Sequence, residues 1–279
     1  MDQQTHVNKT AALANAESYN RGKRRKYIDG APHIKHAELR ALFRRLVVEI
    51  YDATCSFVRQ PKVLDLGAGE GSATLAFLEL GAKTTAVDIS EIQLGALRTR
   101  CSSFANNLTV CCGDISDVVK ELSDKKCKYD IIVANSLLHH IPDYIGLIGQ
   151  CSKILSLHGQ FFSFQDPIKY ASLGKFTKLL TQIAYFSWRI FKGDVIGGLQ
   201  RRLRRSRGIY FDDCSQDNAE YHVVRDGVDQ DAIASSLNEL GFECQIIPYF
   251  STQSRSWQPI GSAMQAYNTF SIIARKKSI

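Results

Sequence analysis

The most constraining feature of the sequence is an apolar strand pattern that runs directly into three alternating glycines. Residues 63–72 read Val-Leu-Asp-Leu-Gly-Ala-Gly-Glu-Gly-Ser, and a helical pattern follows from Ser72. Glycines permit a tight turn and leave the backbone open to a ligand that a side chain would block. In open α/β sheets, ligands bind outside the carboxyl ends of the strands, where this turn lies. The pattern therefore predicts a ligand-binding turn.

A dinucleotide site is the main alternative for a glycine-rich turn of this kind. The dinucleotide fingerprint requires the spacing G-x-G-x-x-G after a strand. Here the glycines are Gly67, Gly69 and Gly71, and Ser72 stands where the third glycine would be needed. The spacing argues against an NAD or FAD site.

Downstream of Pro61, short apolar runs alternate with helical stretches. Strands are expected at residues 63–66, 84–89, 108–112, 131–134 and 160–164, with helices at 72–80 and 91–102 between the first of them. A further helix at 228–240, ended by Gly241, precedes two closing strands at 244–250 and 269–274. Apolar strands separated by helices predict a mostly parallel sheet with helices on both faces.

Polar residues follow the later strands where each one ends. Asp88 lies about twenty residues beyond the glycines, where a carboxylate can accept both hydroxyls of a ribose. Ser90 and Gln93 have the spacing of a capping box, which places a helix start directly after Asp88. Asp114 follows the third strand, and an aspartate there could accept a hydrogen bond from an adenine amino group.

Taken together, these motifs resemble those of the class I S-adenosylmethionine-dependent methyltransferases. The resemblance rests on Asp65-x-Gly67-x-Gly69-x-Gly71, on Asp88, on Gly113-Asp114 and on residues 135–143, and it covers roughly residues 62–167. It implies a Rossmann-like, seven-stranded sheet whose last strand is antiparallel. It also implies S-adenosylmethionine as the cofactor, laid across the strand ends.

The resemblance also implies a role for each motif residue. Gly67 and Gly69, with Ala68 between them, would line the methionine part of the cofactor. The ribose hydroxyls would meet Asp88 beside Ile89, and the adenine would meet Asp114 and Ile115. Asn135 and Ser136 would lie near the sulfonium, whereas Asp65 is expected to support the turn more than to touch the ligand.

Two histidines are candidates for a general base in the transfer step. His140 follows the fourth strand, and His222 lies where an inserted segment rejoins the sheet. Histidine suits the role because its ordinary pKa is near neutrality. Catalysis without a base remains an alternative, because the sulfonium is already activated and positioning alone supplies much of the rate.

The inserted segment, residues 168–221, is expected to form a helical cap on the substrate site. It has an apolar helical face, and residues 168–210 hold ten basic residues and one acidic residue. Five arginines fall between Arg201 and Arg207, with aromatic residues nearby: Tyr185, Phe186, Trp188, Tyr210 and Phe211. The positive charge of this segment has four possible explanations. It could belong to a solvated helix face, or it could bind an anionic substrate, an anionic membrane surface or RNA.

The domain boundary is expected near residue 60. Residues 1–60 read as an extension, with a disordered start at 1–16 and an amphipathic helix within 36–58, and residues 61–279 read as the methyltransferase domain. No apolar run is long enough to span a bilayer, and the first residues lack a secretory signal, so a cytoplasmic location is expected. The eight cysteines show no zinc-site spacing, so no metal is expected.

The favoured function is methyl transfer to a small molecule that resembles a natural product or a sugar. An oxygen atom of that molecule is the expected methyl acceptor. Enzymes that methylate amino groups of bases resemble one another in an Asn or Asp, two prolines and an aromatic at the exit of the fourth strand. This chain has Asn135-Ser136-Leu137-Leu138 there, and no nucleic-acid-binding module can be recognised elsewhere. A lipid or RNA acceptor held by the basic segment, and a catalytically silent cofactor-binding subunit, remain alternatives. The sequence leaves the oligomeric state open.

Overall fold

The computed structural model describes residues 3–20, 31–192, 209–210 and 221–277, and within them seven strands form one sheet. The strands are β1 (Lys62–Leu66), β2 (Lys83–Asp88), β3 (Leu108–Cys112), β4 (Tyr129–Asn135), β5 (Leu155–Pro167), β6 (Phe242–Tyr249) and β7 (Thr269–Lys276). Their order across the sheet is β3-β2-β1-β4-β5-β7-β6.

The pairing of the strands confirms the predicted Rossmann-like sheet. Neighbours from β3 to β5 pair in parallel, whereas β7 runs antiparallel to both β5 and β6. All strands except β7 therefore end at the same edge of the sheet. Because β1 and β4 are adjacent at its centre, the turns that follow them meet there.

Helices cover both faces of the sheet, as the alternation of the sequence predicts. They are α1 (Gln3–Asn20), α2 (Pro32–Lys35), α3 (Ala37–Cys55), α4 (Ser72–Glu79), α5 (Glu91–Arg100), α6 (Ile115–Asp124), α7 (Tyr144–Ile154), α8 (Lys175–Lys192), α9 (Gln230–Glu239) and α10 (Trp257–Ala263). Short 3-10 segments at Ser102–Asn107, Leu138–His140 and Tyr170–Ser172 connect some of these elements.

The side chains of β1 show why the sheet is buried on both faces. Leu64 and Leu66 pack into a core formed with α6, α7 and α9, while Val63 packs into a second core with α3 and α4. Alternate residues of a strand point to opposite faces, so an uninterrupted apolar run serves both cores. The amphipathic helix predicted within residues 36–58 is α3, and its apolar stripe supplies much of the second core.

The start of the chain differs from the sequence expectation. Residues 1–16 were expected to be disordered, yet α1 occupies Gln3–Asn20 and packs against α5. The helix has no pronounced apolar face, because alanines and asparagines occupy the side that the fold covers: Ala11, Ala14 and Asn15 are buried. A search for periodic large apolar residues therefore misses it.

The inserted segment is described only in part. Its helix α8 holds to the fold through Leu180 and Ala184, which pack with Phe250 and Ala266. Of its predicted aromatic cluster, Phe211 lies outside the described residues, as do the arginines between Arg201 and Arg207. Among the described residues, no helix combines the length and apolarity needed to cross a bilayer.

Candidate active site

A cleft that opens to solvent lies at the carboxyl edge of β1, β2, β3 and β4. Most of the predicted site residues line it: Gly67, Ala68, Gly69, Asp88, Ile89, Asp114, Ile115, Asn135, Ser136 and His140. Asp65 and His222 are not among its lining residues. The turns of four separate strands thus converge on one space.

The glycine turn forms the floor of the cleft and depends on a left-handed backbone. Gly67 and Gly69 have φ values of +67° and +53°, which side chains disfavour. A Cβ on Gly67 would approach the side chain of Leu137 to 2.7 Å, whereas a Cβ on Gly69 would meet nothing within 4 Å. The missing side chain of Gly69 therefore leaves open space on the cleft side of the turn.

Asp88 joins the end of β2 to the glycine turn. Its Oδ2 accepts a hydrogen bond from the backbone N–H of Gly69 at 2.8 Å, and its Oδ1 accepts one from Ser90 N–H at 2.8 Å. Burial raises the pKa of the carboxyl, and these N–H groups oppose the shift. Each carboxylate oxygen has a further lone pair, so both can still accept from a diol.

Asp65 lies beneath the turn and is fully buried. Its Oδ2 accepts a hydrogen bond from the Thr74 hydroxyl at 2.5 Å, which ties β1 to the first turns of α4. Its Oδ1 has no hydrogen-bond partner among the described residues. The structure therefore places Asp65 where it can hold the turn, but outside the cleft surface.

The buried Asp65 carboxyl makes stability depend on pH. Burial raises its pKa from 3.8 to about 7. Its protonated form is favoured in the folded state, so its contribution to stability is complete below about pH 4 and is lost as the pH rises through about 7. We expect the free energy of unfolding of Asp65→Asn to vary less with pH over this window, by at most on the order of 4 kcal/mol.

Chemical denaturation at a series of pH values measures the effect. Asp130→Asn serves as the control, because Asp130 is also a strand aspartate whose carboxylate accepts hydrogen bonds, here from Lys62 N–H and the Ser156 hydroxyl. The same pH profile for Asp65→Asn and the wild type would mean that Asp65 is ionised in the folded protein.

Asp114 combines two structural tasks at the end of β3. Its Oδ1 caps α6 by accepting from the backbone N–H groups of Ser116 at 2.9 Å and Asp117 at 3.4 Å. Asp114 and Ile115 line the cleft on the side of β3. Helix capping alone explains an aspartate here, so an adenine contact through the other carboxylate oxygen stays a prediction.

Asn135 and Ser136 form the wall above β4. Asn135 Nδ2 donates to the Ser72 hydroxyl at 3.3 Å and lies 3.4 Å from Nε2 of His33. Its Oδ1 is buried without a hydrogen-bond partner among the described residues, although the side chain lines the cleft. Ser136 has a φ of +57°, a conformation that costs energy for a non-glycine residue and is found preferentially at functional sites.

His33 lies behind this wall, in contact with the Asn135 side chain. Its ring packs at a tilt against Phe43 and edge-on against Phe164, and burial lowers its pKa to about 4. A neutral imidazole next to the Asn135 amide helps to fix the orientation of that side chain. Only the folded chain brings His33 within reach of Asn135, 102 positions away.

His140 closes the end of the cleft beyond Asn135. Its Nε2 lies 3.4 Å from the Tyr19 hydroxyl of α1, and its ring lies 4.1 Å from that of His139. His139 in turn is held by the buried Asp166, whose Oδ1 lies 2.8 Å from its Nδ1. Neither Asp166 nor Tyr19 belongs to a recognisable motif, so the sequence alone does not point to their place beside these histidines.

His222 occupies a different environment from His140. Its Nε2 lies 3.1 Å and 3.3 Å from the carbonyl oxygens of Ile141 and Pro142, so that nitrogen carries the proton and donates it. Its backbone N–H donates to the carbonyl of His139 at 2.8 Å. Burial lowers the pKa of the imidazole. These contacts hold the chain just after the insertion against residues 139–142, the segment that contains His140.

Helix α1 forms a wall of the cleft that no motif in the sequence predicts. Asn8, Ala11, Ala12, Asn15 and Tyr19 line the cleft opposite the strand ends. By contrast, no described residue of the insertion 168–221 lines it, so the expected cap on this space is not provided by α8. The inner side of α8 is occupied by its packing with Phe250 and Ala266.

Comparison with known proteins identifies this arrangement. Residues 64–161 match a family model described as a methyltransferase domain. The matched segment contains the glycine turn, Asp88, Asp114 and the exit of β4. This segment of the chain therefore has the sequence pattern of a methyltransferase domain.

Relatives of this methyltransferase domain include enzymes named for quinone biosynthesis. The chain is 31% identical over 100 residues to a ubiquinone biosynthesis O-methyltransferase of Coxiella burnetii, a match that covers 36% of this chain and 41% of the relative. It is 28% identical over 169 residues to a demethylmenaquinone methyltransferase of Tropheryma whipplei, covering 52% and 67%. The chain thus spans about two fifths of the length of the first of these relatives.

Solved structures share the fold across most of the chain. A putative sarcosine dimethylglycine methyltransferase from Galdieria sulphuraria aligns with a TM-score of 0.54 at 18% identity, covering 92% of each chain. Magnesium protoporphyrin IX methyltransferase from Synechocystis, solved with bound S-adenosylmethionine, aligns with a TM-score of 0.51 at 15% identity, covering 99% of this chain and 98% of the other.

The residues of the cleft fit S-adenosylmethionine, the cofactor of this domain class. The ligand offers a ribose diol and an ammonium group as donors. The Asp88 carboxylate can accept from the diol, and the unpartnered Oδ1 of Asn135 can accept from an N–H donor. The open space beside Gly69 admits the ligand to the backbone.

Proposed function

We propose that this methyltransferase domain transfers the methyl group of S-adenosylmethionine to an oxygen atom of a small-molecule acceptor. The observation that carries the proposal is the convergence of Gly69, Asp88 and Asn135 on one cleft that continues to His140. The O-methyltransferase named for ubiquinone biosynthesis among the relatives supports oxygen as the methylated atom.

Different residues along the cleft would bind different parts of the cofactor. Asp88 would bind the ribose through both carboxylate oxygens, and the backbone at Gly67 and Gly69 would lie along the methionine part. Asp114 and Ile115 would face the adenine, and Asn135 would orient the end that carries the sulfonium. When bound, S-adenosylmethionine supplies an electrophilic methyl group and leaves as a neutral thioether.

His140 is the residue that we propose as the general base. Its Nε2 has a hydroxyl, that of Tyr19, at 3.4 Å, so an acceptor hydroxyl at a similar place would be within reach. As the acceptor oxygen attacks the methyl carbon, its proton would pass to this nitrogen. Of the two histidines proposed as bases, His222 is the weaker candidate because its Nε2 already donates to carbonyl oxygens.

The residues around His140 support a proposal for the chemistry of the acceptor. Ile34, Leu137, Ile141 and Pro142 line the cleft with apolar surface, and α1 adds the polar residues Asn8 and Asn15. Such a surface suits a flat, partly apolar molecule with a hydroxyl, such as a phenol or catechol, better than a highly hydrated sugar. The apolar lining therefore supports an acceptor that is less polar than the sugar-like molecules in the range expected from sequence.

An acceptor panel with methyl-labelled S-adenosylmethionine tests the proposal. We expect label to pass to catechols or other phenols and to be retained after mild alkaline treatment that removes methyl groups from carboxylates. Matched aromatic amines and thiols act as controls for the methylated atom. Cofactor binding without transfer to any acceptor class would favour the catalytically silent alternative, and transfer to amines in preference to phenols would contradict methylation at oxygen.

A further inference from the structure

The outer side of α8 carries a stripe of exposed apolar side chains. Phe176, Leu179, Ile183 and Ile190 are exposed to 50%, 57%, 38% and 66%. Their spacing of three, four and seven residues places them along one side of the helix, over a length of about 21 Å. Single exposed apolar residues are common in proteins, but an aligned stripe of four indicates a surface for interaction.

The side of α8 that packs on the domain adjoins this stripe and fixes the direction in which the stripe points. Leu180 and Ala184 are buried against the domain. The Ser187 hydroxyl accepts a hydrogen bond from Nε1 of Trp257 at 3.0 Å, and Thr181 accepts one from the Asn268 amide at 3.2 Å. Because the helix is attached along one flank, it cannot roll to bury its second apolar flank without breaking these contacts.

The charge next to the stripe indicates the kind of partner. Lys175 and Lys178 precede Leu179, and Arg189 precedes Ile190, while no acidic residue occurs from Lys169 to Lys192. An apolar helical stripe bordered by cations suits the interface of an anionic bilayer, where apolar side chains enter the acyl boundary and cations stay with the headgroups. A second copy of the chain would bring cations of the same sign together, which disfavours self-association through this face.

We propose that the face of α8 formed by Phe176, Leu179, Ile183 and Ile190 docks the protein on anionic lipid bilayer surfaces. The helix starts eight residues after the end of β5, at the edge of the sheet that also carries the cleft. Docking through α8 therefore brings that edge towards the lipid. This membrane attachment goes beyond methyl transfer and requires neither cofactor nor acceptor.

Vesicle flotation with the full chain, without cofactor, tests the attachment. We expect the protein to float with vesicles of phosphatidylcholine and phosphatidylglycerol, and at least tenfold less with phosphatidylcholine alone or at high salt. Leu179→Ser combined with Ile183→Ser should lower partitioning onto the mixed vesicles at least tenfold, because two apolar anchors are lost. Lys175→Gln combined with Lys178→Gln should reduce the dependence on phosphatidylglycerol and on salt.

A matched pair elsewhere on the surface is the control. Leu157 and Leu240 are exposed to 66% and 42%, close to the values of Leu179 and Ile183, but lie outside α8. Leu157→Ser with Leu240→Ser should leave flotation within about twofold of the wild type, and thermal unfolding should confirm that both double variants are folded. Equal losses in the two pairs, or no flotation of the wild type at low salt, would overturn the proposal. It would also be overturned if sedimentation velocity showed a dimer that Leu179→Ser with Ile183→Ser converts to monomers.

Discussion

Asp88→Ala is expected to weaken the binding of S-adenosylmethionine at least tenfold. The substitution removes the carboxylate that we propose as the acceptor for both ribose hydroxyls, and hydrogen bonds to a charged group contribute about 1.5–3 kcal/mol each. It also releases the Gly69 and Ser90 N–H groups that the carboxylate holds. Isothermal titration calorimetry with the cofactor and with its demethylated product measures the loss.

Two further variants separate a binding role from a purely structural one. Asp130→Ala removes another strand aspartate that accepts a backbone N–H, but at the opposite edge of the sheet, so the dissociation constant should stay within about twofold. Asp88→Asn retains one oxygen acceptor and should bind with intermediate affinity. Unchanged affinity in a folded Asp88→Ala variant would show that the ribose binds elsewhere.

His140→Ala is expected to lower kcat about 10²-fold while the affinity for the cofactor stays near that of the wild type. Loss of a general base typically reduces the rate by this order when binding contacts remain. The measurement is steady-state turnover with the best acceptor from the panel, alongside calorimetry for the cofactor. Tyr19→Phe tests the neighbouring hydroxyl separately, because Tyr19 Oη is the group 3.4 Å from His140 Nε2.

His222→Ala is the matched control for His140. We expect its kcat to change less than about threefold and its melting temperature to fall, because Nε2 of His222 donates to the carbonyls of Ile141 and Pro142. A loss of turnover in His222→Ala that equals the loss in His140→Ala would contradict this division of roles. Full activity in both variants would mean that catalysis needs positioning alone.

The sheet and the glycine turn could be predicted because local patterns determine them. The apolar strands are short and separated by helices. Half of the predicted Ser90–Gln93 capping box forms, because Gln93 N–H donates to the Ser90 hydroxyl at 3.3 Å, whereas Ser90 N–H donates to Asp88 rather than to the Gln93 side chain. Gly241 has a φ of +83° at the end of α9, which explains why a glycine there predicts the helix stop.

What the sequence could not predict depends on contacts between distant residues. His139 meets Asp166 across 27 positions, and Tyr19 meets His140 across 121. The position of His222 was predicted near the site from where the insertion ends. Its role as a donor to loop carbonyls depends on the path of residues 141–142, which no motif specifies. Helix α1 escaped detection because small and polar residues, rather than large apolar ones, form its contact side.

Helix α1 also links the two ends of the cleft. Near the proposed ribose site, Asn20 Oδ1 accepts from the hydroxyl of Ser90, whose N–H is bound by Asp88. Tyr19, the residue directly before Asn20, contacts His140. A ligand that contacts α1 at one end of the cleft would help to hold the helix that lines the other end, and such coupling is reciprocal. Cofactor and acceptor are therefore expected to bind synergistically, each lowering the dissociation constant of the other.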